Sequence, residues 1–228
     1  MIISALLFDL DGTLIDSAPD LVGALNWLRG REGLAPVDVG QFAVHAAEGA
    51  AGLLSAGMPP ADSRQLEDWK QAFLEQYARH SFENSSLYEG IPQLLDYLDA
   101  NDVPWGIVTN KHERLTHPVL QAAGLADRAG CVICGDTLAQ TKPHPAPVLR
   151  ACEDLDVRPA QALFAGDDVR DLEAGRAAGT SVAAIMYGYG SGKFNEVLVG
   201  DSLIVEHPRV LQAFLEAKRG PATETARS

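Results

Sequence analysis

The run LLFDLDGT, residues 6–13, ends an apolar stretch on two carboxylates one residue apart, Asp9 and Asp11. Three other segments bring polar residues behind an apolar run, TKPHP a few residues after CVIC (131–134). WGIVTNK brings Thr109, Asn110 and Lys111; TKPHP brings Lys142; and ALFAGDDVRD brings Asp167, Asp168 and Asp171. If these ends meet, five carboxylates share one place with a hydroxyl, an amide and two lysines. Like charges so close push one another toward protonation unless a cation takes up their charge. A compact set of hard oxygen donors favours Mg²⁺ over zinc. Mg²⁺ is commonly held by one or two carboxylates together with a substrate phosphate. A phosphate also accounts for the donors: the Thr13 and Thr109 hydroxyls, the Asn110 amide, the backbone N–H groups of the Gly12 turn and the Lys142 ammonium. The chemistry these residue types imply is phosphoryl transfer.

The segments that carry these residues must be brought to one edge. Residues 2–8, 105–109, 131–134, 162–165 and 181–185 are short apolar runs that end at turn residues, the pattern of strands buried on both faces. Helical spacing separates them at 91–100, 113–123, 145–154 and 169–178. Strands alternating with helices predict an α/β fold, a Rossmann-like, doubly wound parallel sheet with its loops and ligands at the carboxyl ends of the strands. Residues 16–86 break the alternation with consecutive helical patterns and no convincing strand. They predict a helical cap inserted into a core made of 1–15 and 87–219. Residues 220–228, RGPATETARS in part, lack apolar periodicity and predict a frayed tail.

At this point a resemblance becomes specific. DLDGT at 9–13, Thr109, Lys142 and GDDVRD at 166–171 resemble the four motifs of the haloacid dehalogenase superfamily, in order and spacing. TNK, KPHP and AGRAAG (174–179) strengthen it, and the inserted helices stand where this family carries its C1-type cap. The resemblance implies that Asp9 is a nucleophile forming an aspartyl-phosphate and Asp11 its acid and base. It implies that Asp9, the Asp11 carbonyl and Asp167 hold Mg²⁺, with Asp171 and Asp168 around them. It also implies that Gly12, Thr13, Thr109, Asn110 and Lys142 meet the phosphoryl group. An acid at position 11 points to a phosphatase or phosphomutase rather than a dehalogenase. The pattern is similar to the phosphoglycolate phosphatases and the N-acetylmuramic acid 6-phosphate phosphatases, with a β-phosphoglucomutase-like phosphomutase as the alternative. A capped enzyme of this kind takes a small phosphorylated metabolite. In the cap, His45 and Glu48 are the strongly polar groups of FAVHAAEGAAGLL (42–54), while Ala51 stands where similar proteins often carry arginine.

The remaining features narrow the class. The net charge of −13 opposes a nucleic-acid backbone or an anionic membrane as partner. No apolar run reaches the length of about 18 residues needed to span a bilayer, and MIISALLFD has no basic leader, so a cytoplasmic monomer or homodimer is expected. Cys131 and Cys134 read as parts of a short apolar strand, not a metal or redox pair. Asp16, Ser17 and Asp20 read as capping groups for the first inserted helix.

Overall fold

The computed structural model describes residues 2–219, and of Arg219 the backbone only. The expected tail at 220–228 lies outside the described residues. The chain opens on β1 (Ala5–Phe8), buried at every position. Leu6 and Phe8 enter the hydrophobic cluster on one face of the sheet and Leu7 the cluster on the other. That split is the two-residue period of a strand covered on both sides.

A two-residue strand β2 (Ile15–Asp16) then leads into four helices: α1 (Ala18–Arg31), α2 (Val39–Ala46), α3 (Gly49–Gly57) and α4 (Ser63–His80). They enclose their own cluster. Leu21, Leu25 and Leu28 of α1 meet Trp69, Phe73 and Tyr77 of α4, the latter at the i, i+4, i+8 spacing of one helix face. The chain returns through β3 (Ser86–Leu87), which pairs antiparallel with β2, Ile15 opposite Leu87.

From there strands and helices alternate: α5 (Ile91–Ala100), β4 (Trp105–Val108), α6 (Glu113–Ala122), β5 (Cys131–Ile133), α7 (Ala146–Asp154), β6 (Ala162–Gly166), α8 (Val169–Ala178) and β7 (Ser181–Ile185). A short helix α9 (Glu196–Val199), an edge strand β8 (Leu203–Val205) and α10 (Arg209–Arg219) complete the described chain. The six-stranded sheet has the order β5-β4-β1-β6-β7-β8, and all its pairs are parallel. The α/β, doubly wound architecture expected from the alternation is present. After β1 the chain builds outward through β4 and β5, then crosses to the other side of β1 at β6. The strand order therefore switches at β1, and the crevice beside its carboxyl end is where such sheets bind ligands.

Several elements differ from expectation. The Cys131 strand stops at Ile133, one residue early. The ladder of β2 and β3 is too short to show a periodicity, and β8 was missed because Leu203 and Ile204 are only partly covered at the sheet edge. Ser17 and Asp20 do not cap α1. Ser17 lies at the N-cap position without a capping hydrogen bond, and its hydroxyl turns inward to Asp11. Asp20 accepts hydrogen bonds from the backbone and side chains of Asn84 and Ser85 instead. The three cysteines are free thiols, and burial pushes Cys131 up to about 12 and Cys152 to about 11. Among the described residues, no helix is long and apolar enough to cross a membrane.

Candidate active site

The carboxyl ends of β1, β4 and β6 open into a cavity of about 500 Å³, roofed by α3 and α4. Asp9 follows β1 directly, and its backbone N–H donates to Ala165 at 2.9 Å, which ties the end of β1 to β6. Its Oδ1 accepts from the Leu10 N–H at 2.7 Å and pairs with Lys142 Nζ at 2.8 Å. Gly12 turns the chain with a φ of +84°, a left-handed conformation that favours glycine. A Cβ there would also lie 2.2 Å from Asp167 Oδ2. The Gly12 N–H, expected to face a phosphate, donates to the Ile15 carbonyl at 2.8 Å. Thr13, fully buried, donates from its hydroxyl to Asp167 Oδ1 at 3.1 Å.

Asp167 and Asp171 come from the end of β6 and the first turn of α8. With Asp9 they form a buried group in which each residue offers one carboxylate oxygen within 4.8 Å of the others. Burial and the neighbouring Asp171 push Asp9 up to about 7, against the opposing pull of Lys142. Burial, Asp9 and Asp171 likewise hold Asp167 well above the usual carboxylate range. Asp171 Oδ2 accepts from the Asp168 N–H at 3.0 Å. Its Oδ1 lies 2.7 Å from Lys142 Nζ yet accepts no well-directed hydrogen bond. Three crowded carboxylates, one with an undersatisfied buried oxygen, suit a hard divalent cation. Asp168 stands apart from this group. Its carboxylate accepts from Arg170 N and Nε, at 2.9 and 2.7 Å, and so caps α8.

Two buried lysines serve the two acids of the first loop. Lys142 Nζ donates to the Val108 carbonyl at 2.7 Å and contacts both Asp9 and Asp171. Burial would lower its ammonium, but Asp171 and Asp9 outweigh that and raise it. Asn110 clamps the main chain of Lys142: its Nδ2 donates to the carbonyl at 2.9 Å and its Oδ1 accepts from the N–H at 3.0 Å. The amide expected to meet a phosphate is thus spent on positioning the lysine. Thr109 is buried at the cavity floor, with its Oγ1 accepting from the Lys111 N–H at 3.1 Å.

The second lysine, Lys111, carries the larger surprise. Its Nζ donates to both Asp11 oxygens, at 2.9 and 3.1 Å, and to the Tyr77 hydroxyl of α4 at 2.6 Å. Burial alone would lower its ammonium, but Asp11 and Tyr77 hold it above the ordinary lysine range. Ser17 donates to Asp11 Oδ1 at 2.6 Å, and Tyr189 shares a hydrogen bond with Ser17. Lys111 stands within TNK, a pattern that assigns its side chain no task. Tyr77, Ser17 and Tyr189 were missed as site residues.

Of the two expected cap residues, Glu48 lines the cavity and pairs with Lys193 across the space between the helical layer and the core. His45 rests against the Phe42 ring, centroids 5.4 Å apart, and does not line the cavity. Arg170 makes a second tie, donating to the Ala47 carbonyl at 2.6 Å. Leu21, Phe73, Leu74 and Leu115 supply apolar wall, while Lys70 and Arg114 add cationic rim.

Known proteins share this arrangement of chain and sheet. The chain is 41% identical over 212 residues to an N-acetylmuramic acid 6-phosphate phosphatase of Pseudomonas aeruginosa, covering 92% of this chain and 94% of that protein. It is 37% identical over 205 residues to a phosphoglycolate phosphatase of Xylella fastidiosa, covering 90% of each. A crystal structure described as a predicted phosphoglycolate phosphatase from Haemophilus somnus superposes with a TM-score of 0.82 at 25% identity, over 93% of this chain and 98% of that one. Residues 3–179 match the sequence model of the haloacid dehalogenase-like hydrolases. With the match spanning the loops of β1, β4 and β6 alike, the chain belongs to the haloacid dehalogenase-like hydrolase family.

Proposed function

We propose that the protein is a Mg²⁺-dependent phosphomonoesterase that works through a phosphorylated Asp9. The observation that carries this reading is the pairing of two acids with two environments at one cavity floor. Asp9 lies among Asp167, Asp171 and Lys142, and Asp11, two residues on, is held by Lys111 and Ser17. Asp9 Oδ1 is taken by Leu10 and Lys142, so Oδ2 is the oxygen assigned to attack phosphorus. A bond forms between Oδ2 and phosphorus as the ester P–O bond breaks, and Asp11 protonates the departing oxygen. Water then attacks the phosphoryl group, Asp11 takes its proton, and Asp9 is regenerated as inorganic phosphate leaves. Asp9, Asp167 and the Asp11 carbonyl are assigned to hold Mg²⁺, with Asp171 beside them. When bound, the cation neutralises the crowded acids and the charge of the transferring phosphoryl group. Thr109 and Lys142 are assigned to the phosphoryl oxygens, with Asn110 holding Lys142 in place. The helices α1–α4 act as the cap that excludes bulk water.

The substrate is a small phosphorylated metabolite, on the pattern of phosphoglycolate phosphatases. A second reading, N-acetylmuramic acid 6-phosphate, is favoured by the cavity. Its volume of about 500 Å³ suits a sugar-sized group and is more than a two-carbon acid needs. Ala50 and Ala51, small residues on the roof, keep that space open.

The test is phosphate release from p-nitrophenyl phosphate, 2-phosphoglycolate, glucose 6-phosphate and N-acetylmuramic acid 6-phosphate, with Mg²⁺ and with EDTA. Turnover in Mg²⁺ and none in EDTA is expected, with kcat/KM ranking the esters. Absence of release from every ester in Mg²⁺ rejects the hydrolase reading. Release that needs an added sugar bisphosphate, with isomerised product and little free phosphate, identifies a phosphomutase instead.

A further inference from the structure

The contacts of Lys111 differ in kind from those of Lys142. Lys142 reaches the carboxylates expected to hold a cation, whereas Lys111 is turned wholly toward Asp11. Its ammonium meets both Asp11 oxygens and the Tyr77 hydroxyl, which accounts for its three protons. The same ammonium lies 4.5 Å from the centre of the Tyr77 ring, so both hydroxyl and ring fix its place. Tyr77 itself is 1% exposed and locked in the core of the helical layer by Phe73 and the helices around it. Ser17 holds Asp11 Oδ1 from the other side, at the point where the chain enters that layer. A carboxyl group met at both oxygens by one ammonium, and at Oδ1 again by a hydroxyl, has its plane fixed, and the second lone pair of Oδ2 is the place left for the proton it delivers.

We propose that Lys111 and Tyr77 are positioning residues that aim the Asp11 carboxyl at the leaving oxygen, so that the inserted helices set the geometry of the acid. The proposal rests on the reading of Asp11 as the acid. A simple counter-charge would need no second anchor. Here the anchor is a hydroxyl from α4, more than thirty positions earlier in the chain than the lysine it holds. The consequence is specific to the bond being broken. A fixed acid lowers the barrier for an alkoxide, which must be protonated to leave, and contributes little for a nitrophenolate, which leaves unaided.

The experiment compares kcat/KM for p-nitrophenyl phosphate with that for the alkyl ester of highest kcat/KM in the panel above. It uses the full chain in Mg²⁺ and the variants Asp11→Asn, Lys111→Gln and Tyr77→Phe. The ratio kcat/KM reports events through the first irreversible cleavage, so the later attack by water does not enter it. Asp11→Asn is expected to lose far more on the alkyl ester. Tyr77→Phe and Lys111→Gln are expected to follow in the same direction, with a loss on the alkyl ester about tenfold greater than on the aryl ester. Equal losses on both esters in these two variants, beside a discriminating Asp11→Asn, overturn the positioning proposal and leave the acid assignment standing. Equal losses in Asp11→Asn itself reject Asp11 as the acid, and the proposal with it. If Lys111→Gln does not fold, Tyr77→Phe decides alone, since it removes one oxygen and keeps the ring.

Discussion

Asn110 and Lys142, 32 positions apart, are joined side chain to main chain, the amide of one closing on both polar groups of the other. The lysine that contacts Asp9 and Asp171 is therefore held from behind as well as by its own charge. Asn110→Ala is expected to reduce kcat by about tenfold or more through a displaced Lys142, a placement effect, with a smaller change in KM. Steady-state kinetics on the alkyl ester checks it. Asn110→Asp should be no better, because its second oxygen faces the Lys142 carbonyl. A wild-type kcat in Asn110→Ala would separate the clamp from catalysis.

The crowded carboxylates predict an unusual response to pH. Burial and the neighbouring Asp171 raise the Asp9 carboxyl to about 7 in the folded protein, against about 4 when unfolded. The folded state thus holds the extra proton between those values, and cation-free stability falls as pH rises through that window. Mg²⁺ held as proposed would need the ionised form, so its stabilisation is expected to grow in the opposite sense. Melting temperatures with Mg²⁺ and with EDTA are expected to differ little near pH 5 and most near pH 8.

Asp167→Asn removes one of the three charges. At pH 8 in EDTA the variant is expected to melt above the wild type, because the repulsion that raises Asp9 and Asp167 is relieved. In Mg²⁺ its melting temperature should scarcely move and turnover should be lost. A Mg²⁺ shift equal to that of the wild type would remove Asp167 from the metal site.

Gly12→Ala meets two obstacles at once. The positive φ costs about 1–2 kcal/mol for a residue with a side chain, and the new methyl group overlaps Asp167. Lower stability and a weakened Mg²⁺ shift are expected together in thermal melts. A stability loss with an intact Mg²⁺ response would show that the turn yields without moving Asp167.

Asp20 closes the base of the helical layer. Burial pushes its carboxyl up, but hydrogen bonds from Ser85 and Asn84 more than offset this and hold it below the usual range. Asp20→Ala removes the acceptor of these donors, and because Asn84 is exposed and Ser85 half-buried, so that water can replace it, the expected cost in urea unfolding is about 1 kcal/mol. Because the folded pKa is lowered, the contribution is complete above the ordinary carboxylate value of about 4. It is lost as pH falls through the lowered value, so wild type and variant should converge in acid.

The parts of the site that could be read from sequence share a physical cause. Asp9, Thr109 and Asp167 each end or follow a strand buried on both faces, and in a parallel sheet all such ends meet at one edge. Lys111 and Asn110 stood in the right loop, but their partners did not. Whether an amide faces a ligand or the backbone of another loop depends on tertiary placement that no local pattern encodes. Tyr77 looked like one more apolar position on the inner face of α4, beside Trp69 and Phe73. Its hydroxyl gains a partner only because the loop after β4 brings Lys111 to it. Asp168 shows the converse, an acid in a metal-like run that serves its own helix through a local hydrogen bond.

The ladder of Ile15 with Leu87 and Asp16 with Ser86 bears on how the inserted helices could be exchanged. The chain departs from the sheet and rejoins it at one spot, so whatever lies between adds little strain to the strands on either flank. A chimera can exchange that excursion while the sheet and its acids remain as they were. The link from Tyr77 to Asp11 sets a limit on such exchange. On the positioning proposed for Tyr77, a transplanted set of helices that lacks a hydroxyl at this spot would inherit the pocket and lose the anchor of Lys111.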